Sequence, residues 1–250
     1  MILQKISHKQ AYEYVSKMGI LGIALEGFLY NNPDVEDVYS TIDLDGLLIF
    51  KDDFTLLHSL NEEFLSCAYD FVGENAFFNC VDFKTASFLQ NNLGAFNISY
   101  CHIYGYLKSL PNSNPFPPPK GLKLKQIDLK DLDVINDYYT YKSPKSKQKL
   151  CHEITSRASS ALYDGDKIVA WNLLHDDNAM GVMFVPPEYR NKGFAQIVAF
   201  DLLKRVVQSG KIPYVQIVDG NNPSICLAQK LGFEHIFDAC WLTKKERKKK

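Results

Sequence analysis

One stretch decides the fold of this chain: Val185-Pro186-Pro187-Glu188-Tyr189-Arg190-Asn191-Lys192-Gly193-Phe194-Ala195. The apolar run from Met180 to Val185 leads into it and is typical of a buried strand. Behind it, apolar residues recur at helical spacing, at Ile197, Val198, Leu202, Leu203, Val206 and Val207. Gly210 then offers a good helix stop. The sequence therefore predicts a strand, a turn that contains a glycine, and a helix.

A turn of this kind is a candidate binding site for an anion. The first backbone N–H groups of a helix have no partner within the helix, and the helix dipole adds positive potential at that end. Phosphate is the natural ligand for such a site. Gly193 lets the main chain approach the anion closely, and the small side chain of Ala195 keeps bulk away from the first turn.

The motif in this turn is not one of the two most common phosphate loops, because neither GxGxxG nor GxxxxGK[ST] occurs in the sequence. Arg190-x-x-Gly193-x-Ala195, after Val185-x-Pro187, instead resembles the [QR]xxGx[GA] signature of the GNAT superfamily of acyl-CoA-dependent N-acyltransferases.

The order of elements downstream agrees with this resemblance. A strand-like Tyr214 to Val218 precedes Asn221, and the helix that follows ends in Leu231-Gly232-Phe233, as the corresponding helix of the family commonly does. The resemblance covers roughly residues 121 to 243. It implies an α/β fold of the α+β kind, with a mixed, mostly antiparallel sheet that is flanked by helices and splayed near residues 180 to 218.

The resemblance implies that acetyl-CoA or another acyl-CoA is bound as co-substrate, and it implies no metal. The pantetheine arm would lie beside the strand like an additional strand, and main-chain amides of the loop would hold the pyrophosphate. Arg190 and Lys192 would add positive charge or serve only as exposed solubilising residues, and Asn221 would contact the cofactor or cap a turn. The expected cofactor-binding residues are Met183, Phe184, Val185, Arg190, Asn191, Lys192, Gly193, Phe194, Ala195 and Asn221.

The same resemblance implies that an amine of a small molecule or peptide attacks the thioester carbonyl directly. The chain would then be an N-acyltransferase, and most simply an N-acetyltransferase. A backbone N–H at about Val185 would stabilise the oxyanion, and this term is generally the largest in such reactions. It needs no side chain.

The residues that would move protons depart from the family pattern. Where many relatives have a Tyr that protonates the leaving thiolate, this chain has Ala228, and where a carboxylate base often lies it has Ala179. Asp177, His175 or Asp219 could act through water as catalytic groups, although these residue types are also common in loops and turns.

Two interpretations follow from these departures. A thiol with a pKa near 8.5 leaves tolerably well as thiolate, and an α-amine with a pKa of about 7.7 to 8.0 is partly neutral at pH 7. An enzyme can therefore work without either group, and an α-amino or otherwise weakly basic acceptor is favoured over a lysine side chain. Alternatively, the chain is a catalytically weakened acyl-CoA-binding or sensing module.

A proline-rich segment, Lys108 to Gly121, divides the chain because proline fixes φ and removes a donor. We predict an N-terminal α/β domain at 1–107, a linker at 108–120, an acyl-CoA-binding N-acyltransferase domain at 121–243 and a basic tail at 244–250. The two-part layout, Tyr189-Arg190 and Trp241 resemble the glycine N-acyltransferase-like branch, whose N-terminal part resembles a degenerate acyltransferase half.

Periodicity and turn residues predict the remaining elements. Before the linker they are a helix in the first thirty residues, a hairpin at Asp45-Gly46 between 38–42 and 47–50, helices at 54–69 and 85–93, and strands at 76–83 and 98–107. After it they are a strand at 122–127, helices at 129–141 and 146–157, and a hairpin of 161–163 with 168–171 that turns at Asp164-Gly165.

The composition is that of an ordinary globular protein. The 250 residues are 46% hydrophobic and 23% charged, which excludes the signature of disorder. No apolar run approaches the roughly 18 residues of a membrane span, and the N-terminus lacks the order of a signal peptide. We therefore expect a cytoplasmic protein without a membrane partner.

Charge and cysteine spacing exclude further classes. The tail 244–250 has six Lys and Arg against one Glu, a charge of +5 that leaves −6 on residues 1–243, and such a short run is more often solvated than bound to nucleic acid. The cysteines at 67, 80, 101, 151, 226 and 240 form no CxxC pair. We expect reduced, mostly buried thiols, Cys226 among them, and no metal site.

Overall fold

The structure is a computed structural model that describes residues 1–51, 54–72, 77–92 and 96–244. Apart from Lys244, the predicted basic tail lies outside the described residues. The chain folds into two compact units. The first holds Met1–Ile103, Ile217–Asn221 and the residues from Ile236 onward, and the second holds Tyr104–Gln216 and Asn222–His235. The domain boundaries predicted from the sequence stay predictions.

The elements follow one another as a mixture of helices and strands. Up to residue 105 they are β1 Gln4–Lys5, α1 His8–Met18, α2 Ile23–Asn31, β2 Val38–Ser40, β3 Gly46–Lys51, β4 Phe54–Ser59, α3 Glu62–Val72, β5 Phe77–Asp82, α4 Phe83–Asn92 and β6 Phe96–Gly105. Beyond it they are β7 Leu122–Lys125, α5 Leu132–Asp137, α6 Ser146–Ser156, β8 Ser159–Asp164, β9 Lys167–Leu174, β10 Met180–Phe184, α7 Phe194–Gln208, β11 Tyr214–Val218, α8 Asn222–Leu231 and β12 Glu234–Lys244. Short 3₁₀ turns lie at Gly19–Gly22, Leu129–Asp131 and Pro187–Tyr189.

The strands form two sheets. Eight strands pair in the order β1-β2-β3-β4-β5-β12-β6-β11, and four pair in the order β10-β9-β8-β7. Strand pairs such as β3 with β4, β12 with β5 and β8 with β9 are antiparallel, whereas β4 and β5 are parallel. This arrangement confirms the predicted fold class, a mixed and mostly antiparallel α+β architecture with flanking helices.

The first unit buries apolar residues on both faces of its strands. Successive residues of β3 alternate, so that Leu47 and Ile49 pack with α1 and α2 while Leu48 packs with α3 and α4. On β4, Leu56 joins the first of these cores and Leu57 the second. Strands of this kind read as continuous apolar runs rather than as alternating ones.

This burial explains an element whose type was predicted wrongly. Residues 54–59, predicted as the start of a helix, form β4, and the helix α3 begins only at Glu62. A short strand with two buried faces has no polar residue at every second position, and its periodicity cannot distinguish it from a helix. The predicted hairpin is confirmed by the antiparallel pairing of Val38 with Ile49, but Asp45-Gly46 is not its tight turn, because residues 41–45 make the connection and Gly46 already belongs to β3.

The second unit has the same layered construction. One face of its sheet packs with α5 and α6 through residues such as Ala161, Tyr163 and Trp171. The other face packs with α7 through Leu162 and Ala170. The predicted hairpin at Asp164-Gly165 is confirmed, since Asp164 pairs with Lys167 across a two-residue turn.

The proline-rich segment has no helix or strand at residues 106–121, as expected for its composition. It is nevertheless attached to its unit by specific contacts. The ring of Phe116 meets the ring of Phe200 on α7 edge to face, with centroids 5.5 Å apart, and the ring of Tyr106 meets the ring of Phe233 in the same way at 5.8 Å.

Candidate cofactor-binding site

Strand β10 lies at the edge of the four-stranded sheet. Among the described strands, β9 pairs with one side of β10 and none pairs with the other, outer side. Residues 181–185 are all half-buried, which gives the strand a partly open main chain. An edge strand of this kind can accept a further extended chain through its main-chain groups.

A β-bulge interrupts this strand. Gly181 pairs with Leu173 and Phe184 pairs with Trp171, so β10 uses one residue more than β9 over the same distance. Val182 has a φ of +50°, a left-handed conformation that is strained for a β-branched residue. The bulge therefore removes main-chain groups from the ladder between Gly181 and Phe184. The sequence contains no signal that predicts it.

After β10 the chain forms a compact loop. The N–H of Tyr189 donates to the carbonyl of Pro186 at 2.9 Å, and the N–H of Arg190 donates to the carbonyl of Pro187 at 3.2 Å. Two later residues then adopt left-handed conformations, Asn191 with φ +61° and Gly193 with φ +76°. A left-handed residue followed by helical ones turns successive N–H groups toward one point, which is the geometry of an anion-binding nest.

Helix α7 begins at this nest, and no described side chain caps its first turn. Gly193 occupies the N-cap position, no side chain of the described residues bonds to the helix start, and the first turn has no acidic residue. The first helical hydrogen bond runs from the N–H of Ile197 to the carbonyl of Gly193. The amides of residues 194–196 are therefore directed out of the helix, where the dipole favours negative charge.

Basic side chains lie around this loop. The Nε of Arg190 donates to the Val185 carbonyl at 3.0 Å, and its guanidinium lies over the Phe184 ring at 5.6 Å. Lys192 lies over the Tyr189 ring at 5.4 Å, and so does Lys167 at 5.0 Å. A hydrogen bond with Tyr189 raises the pKa of Lys167. Arg190 is thus attached to the end of the strand while the residue as a whole remains exposed.

Aromatic residues cover one side of β10. Tyr138 stacks on Phe184 with centroids 4.5 Å apart and an interplanar angle of 23°. Trp171 lies on the same ring at 5.3 Å and is completely buried. The indole Nε1 of Trp171 has no hydrogen-bond partner within the described part of the chain.

The acid and base candidates occupy different environments. One oxygen of Asp177 accepts from the Ala179 N–H at 3.0 Å, and the other accepts from the Gln216 side chain at 2.5 Å. The Asp177 carboxylate thus holds the turn between β9 and β10, which is the turn role that its residue type allowed. The Nδ1 of His175 instead lies 3.3 Å from Oε1 of Glu153 on α6.

Glu153 and Arg157 are site residues that the sequence reasoning missed. Glu153 is fully buried, and the Arg157 side chain is only 4% exposed and pairs with Asp176. Both lie near Leu150 and Ile154 on the core-facing side of α6. Both are charged residues at positions where the periodicity of the predicted helix calls for apolar ones. This mismatch was the sequence signal that could have identified them, because charged groups are rarely buried without a partner.

The remaining candidates are Asn221, Asp219 and the two alanines at the usual acid and base positions. Asn221 lies in the turn before α8, where its N–H donates to the Val218 carbonyl. Asp219 pairs with His102 at 3.2 Å. Ala179 and Ala228 are both buried, at 3% and 5% exposure, so neither position supplies a proton-transferring side chain.

The cysteines differ from expectation. Of the five described thiols, all of them free, Cys101 and Cys240 are buried, Cys67 and Cys151 are half-buried, and Cys226 is exposed. The prediction of mostly buried thiols, and of a buried Cys226, is therefore wrong. Cys226 lies on α8, whose only described buried residues are Ala228 and Leu231, so its face of the helix is open. Burial raises the pKa of Cys101 and of Cys240 to about 12.

A comparison with known protein families found a match over the C-terminal part of the chain. Residues 149–242 match the family model described as FR47-like protein. Comparison with curated proteins found no match.

None of the described helices has both the length and the apolar character needed to cross a membrane. The predicted cytoplasmic location stays a prediction.

Solved structures share the fold over nearly the whole chain. A Drosophila protein superposes with a TM-score of 0.79 at 14% identity and covers 98% of each chain. An acetyltransferase of the GNAT family from Colwellia psychrerythraea has a TM-score of 0.58 at 12% identity, covering 98% of this chain and 100% of its own. A tandem GNAT protein from the clavulanic acid biosynthesis pathway has a TM-score of 0.57 at 12% identity, covering 99% of each chain.

These matches do not confirm the glycine N-acyltransferase-like branch, which stays a prediction. The chain has the fold of the GCN5-related N-acetyltransferases and an FR47-like segment at residues 149–242, which confirms its predicted resemblance to the GNAT superfamily.

Proposed function

We propose that the protein is an acyl-CoA-dependent N-acyltransferase that moves an acetyl or short acyl group to an amine of a small molecule or peptide. One observation carries the proposal. The uncapped start of α7 follows a loop with left-handed residues at Asn191 and Gly193, at the end of an open edge strand. This arrangement suits a ligand with an anionic end and an extended arm, which describes a CoA thioester.

In this proposal the cofactor takes two parts of the site. Its pyrophosphate is held by the main-chain amides from Arg190 to Ala195, with added charge from Arg190 and Lys192. Its pantetheine arm extends along Met183, Phe184 and Val185. The half-burial of residues 181–185 supports this path, because the strand is accessible there.

The chemistry needs little beyond the fold. The amine nitrogen forms a bond with the acyl carbon, the carbon–sulfur bond breaks, and sulfur leaves as a thiolate. The N–H of Val185 stabilises the oxyanion that forms in between. Since Ala179 and Ala228 cannot transfer protons, an α-amine or another weakly basic amine is the favoured acceptor, because more of it is neutral at pH 7.

Thiol release tests this function. The full chain is incubated with acetyl-CoA and a panel that compares α-amines with lysine side-chain amines, and free CoA is followed with a thiol reagent. We expect release that depends on the acceptor and is faster with α-amines. Binding of acetyl-CoA without acceptor-dependent release from any amine contradicts an enzyme.

The second candidate function is a module that binds or senses acyl-CoA. The buried alanines at 179 and 228 favour it, because they leave the usual acid and base positions without functional groups. In this case calorimetry gives tight acyl-CoA binding while the thiol assay stays at background. The two assays together therefore separate the candidates.

A further inference from the structure

We propose that His175 is the base that takes the proton of the acceptor amine through one water molecule, and that Glu153 is the residue that positions it. This inference rests on the proposed function and assigns the proton transfer that the two alanines cannot perform. Four features of the second unit carry it.

The first feature is the rigid backbone at His175. The N–H of His175 donates to the Ala179 carbonyl at 2.9 Å, and its own carbonyl accepts from the Asn178 N–H at 3.0 Å. These bonds close the turn that connects β9 with β10. The imidazole is therefore attached to the start of the strand along which the cofactor arm is proposed to lie.

The second feature is the buried carboxylate behind the ring. Oε1 of Glu153 lies 3.3 Å from Nδ1 of His175, and Glu153 is fully buried. A carboxylate on Nδ1 holds the proton on that nitrogen, which leaves the lone pair on Nε2 free to accept one. It also stabilises the imidazolium that forms when the proton arrives.

The charges around this pair support a positioning role. Arg157 approaches the same Glu153 oxygen at 3.7 Å and Lys149 at 3.9 Å, while Asp176 pairs with Arg157. The second oxygen of Glu153 has no hydrogen-bond partner among the described residues. Arg157 and Lys149 thus approach the same oxygen that faces His175, which fixes the direction of the carboxylate toward the imidazole.

The third feature is the direction of Nε2. A Cβ added at Gly181 would lie 2.4 Å from this nitrogen, so the ring edge rests directly against the β10 backbone. Only a glycine leaves room for the imidazole there. Nε2 and Cδ2 are therefore the ring atoms nearest to β10, and the proposal places the acceptor amine at this edge of the imidazole.

The fourth feature is the bulge beside it. Val182, the strained residue of β10, directly follows Gly181, and strained backbone in proteins concentrates at functional sites. Val185 lies four residues from Gly181, and the bulge shortens this path to about three rungs of the ladder, roughly 10 Å. Two hydrogen bonds through one water, together with the contact between the amine and the acyl carbon, span about 9 Å.

Atoms and electrons balance in this step. One amine proton moves through the water to Nε2 as the nitrogen lone pair bonds to the acyl carbon, and the carbon–sulfur bond electrons leave with sulfur. His175 then returns the proton to the thiolate or to solvent, which it can reach because its side chain is 28% exposed.

The test compares His175→Gln with His152→Gln, a matched control on an exposed histidine of α6 next to Glu153. We expect His175→Gln to lower kcat by about 10²- to 10⁴-fold. The dissociation constant for CoA should stay within about twofold, and His152→Gln should behave as wild type. A His175→Gln variant that folds normally by circular dichroism and keeps the wild-type kcat overturns the inference.

The pH profile supplies the readout that a structural role would not change. Below neutral pH, log kcat/KM of the wild type should rise with a slope of about two, because both the amine and His175 must lose a proton. In His175→Gln only the amine titrates, and the slope should fall to about one. An unchanged slope contradicts the assignment.

Two further variants examine the positioning. Glu153→Gln should lower kcat less than His175→Gln does, because the imidazole remains while the imidazolium that forms loses its carboxylate. If Glu153→Gln does not fold, Gly181→Ala takes its place, since its methyl group displaces the ring from β10. We expect it to lower kcat at least tenfold while CoA binding persists. Wild-type kcat in Gly181→Ala excludes the role of His175 as the base. Absence of turnover in the wild-type protein refutes the proposed function itself.

Discussion

At the scale of single residues, Gly193 is the position where adding a side chain should weaken cofactor binding. Its φ of +76° is strained for any β-branched residue, and the strain costs about 1 to 3 kcal/mol unless the loop changes shape. Gly193→Val should therefore weaken CoA binding by about tenfold or more, measured by calorimetry.

A matched control exists at the other end of the same helix. Gly210 has a φ of +77°, and a Cβ added there meets nothing within 4 Å. Gly210→Val should carry a similar folding cost while the CoA dissociation constant stays unchanged. Equal affinities in wild type and Gly193→Val would show that the loop amides do not hold the cofactor.

A second residue-scale prediction concerns His102 of the first unit. Its Nδ1 lies 2.7 Å from Asp238 and its Nε2 lies 3.2 Å from Asp219, and these hydrogen bonds raise the pKa of His102 above its ordinary value near 6.5. The imidazolium therefore stabilises the folded state fully below about pH 6.5, and this stability is lost as the pH rises through the raised pKa.

His102→Gln should accordingly lower the free energy of unfolding at pH 6 by about 0.2 to 1 kcal/mol, the range for exposed pairs, and by less at pH 9. Urea unfolding at the two pH values measures the difference. An equal loss at both values would exclude a charged pair at His102.

Residue types alone predicted part of this site. Gly193, Arg190 and the helix spacing behind them were sufficient to predict the turn and the helix after β10, and the phosphate-binding role of this loop stays a prediction. The strained Val182 and the His175–Glu153 contact could not be predicted, because they arise from pairing between segments distant in sequence. Single-sequence patterns contain no information about such pairing.

At the scale of elements, β12 is the strand on which the first unit depends. It lies between β5 and β6 in the eight-stranded sheet, with Ala239 opposite Asp82 and Leu242 opposite Phe78. Leu242 is completely buried in the core with Phe78 and Val81. Its side chain therefore contributes to a unit whose other residues come almost entirely from the N-terminal half of the sequence.

Leu242→Ala should lower the free energy of unfolding by about 2 to 5 kcal/mol, because it leaves a cavity in this core. Leu60→Ala is the control, since Leu60 is 70% exposed in the same unit and its loss should cost within about 0.5 kcal/mol. Similar midpoints for both variants in urea would contradict the central position of β12.

Most elements of the second unit were predictable because each has one apolar face or a clear turn. Helices α6 and α7 and the hairpin at Asp164-Gly165 are examples. Strand β12 was not predicted at all. Gly232 marks the end of the preceding helix, but the partners of the strand are remote in sequence: Ala239 pairs with Asp82, which lies 157 residues upstream. No local pattern contains information about such a pairing.

At the scale of the whole molecule, neither unit is a continuous piece of sequence. The first unit takes residues 217–221 and those from 236 onward from the end of the chain. Fragment 1–107 should therefore not fold alone, because it lacks the strand that lies between β5 and β6. Its circular dichroism and its amide exchange should be those of an unfolded chain.

A second fragment serves as the control. Residues 1–107 joined by a flexible linker to residues 234–244 should recover native-like secondary structure, because the missing strand is restored. Cooperative unfolding of 1–107 by itself would show that the predicted N-terminal domain is autonomous. No composition or periodicity argument could have revealed this dependence, since the linker prolines indicate a boundary between 107 and 121 and nothing more.

The open outer side of β10 also bears on how the protein behaves in a concentrated solution. An unpaired edge with accessible main-chain groups is a template for the strand of a neighbouring molecule, and proteins usually protect such edges against aggregation. If the pantetheine arm lies there, its amides occupy the same groups. CoA would then act as a chemical chaperone for this protein, keeping separate molecules from joining edge to edge during expression and storage.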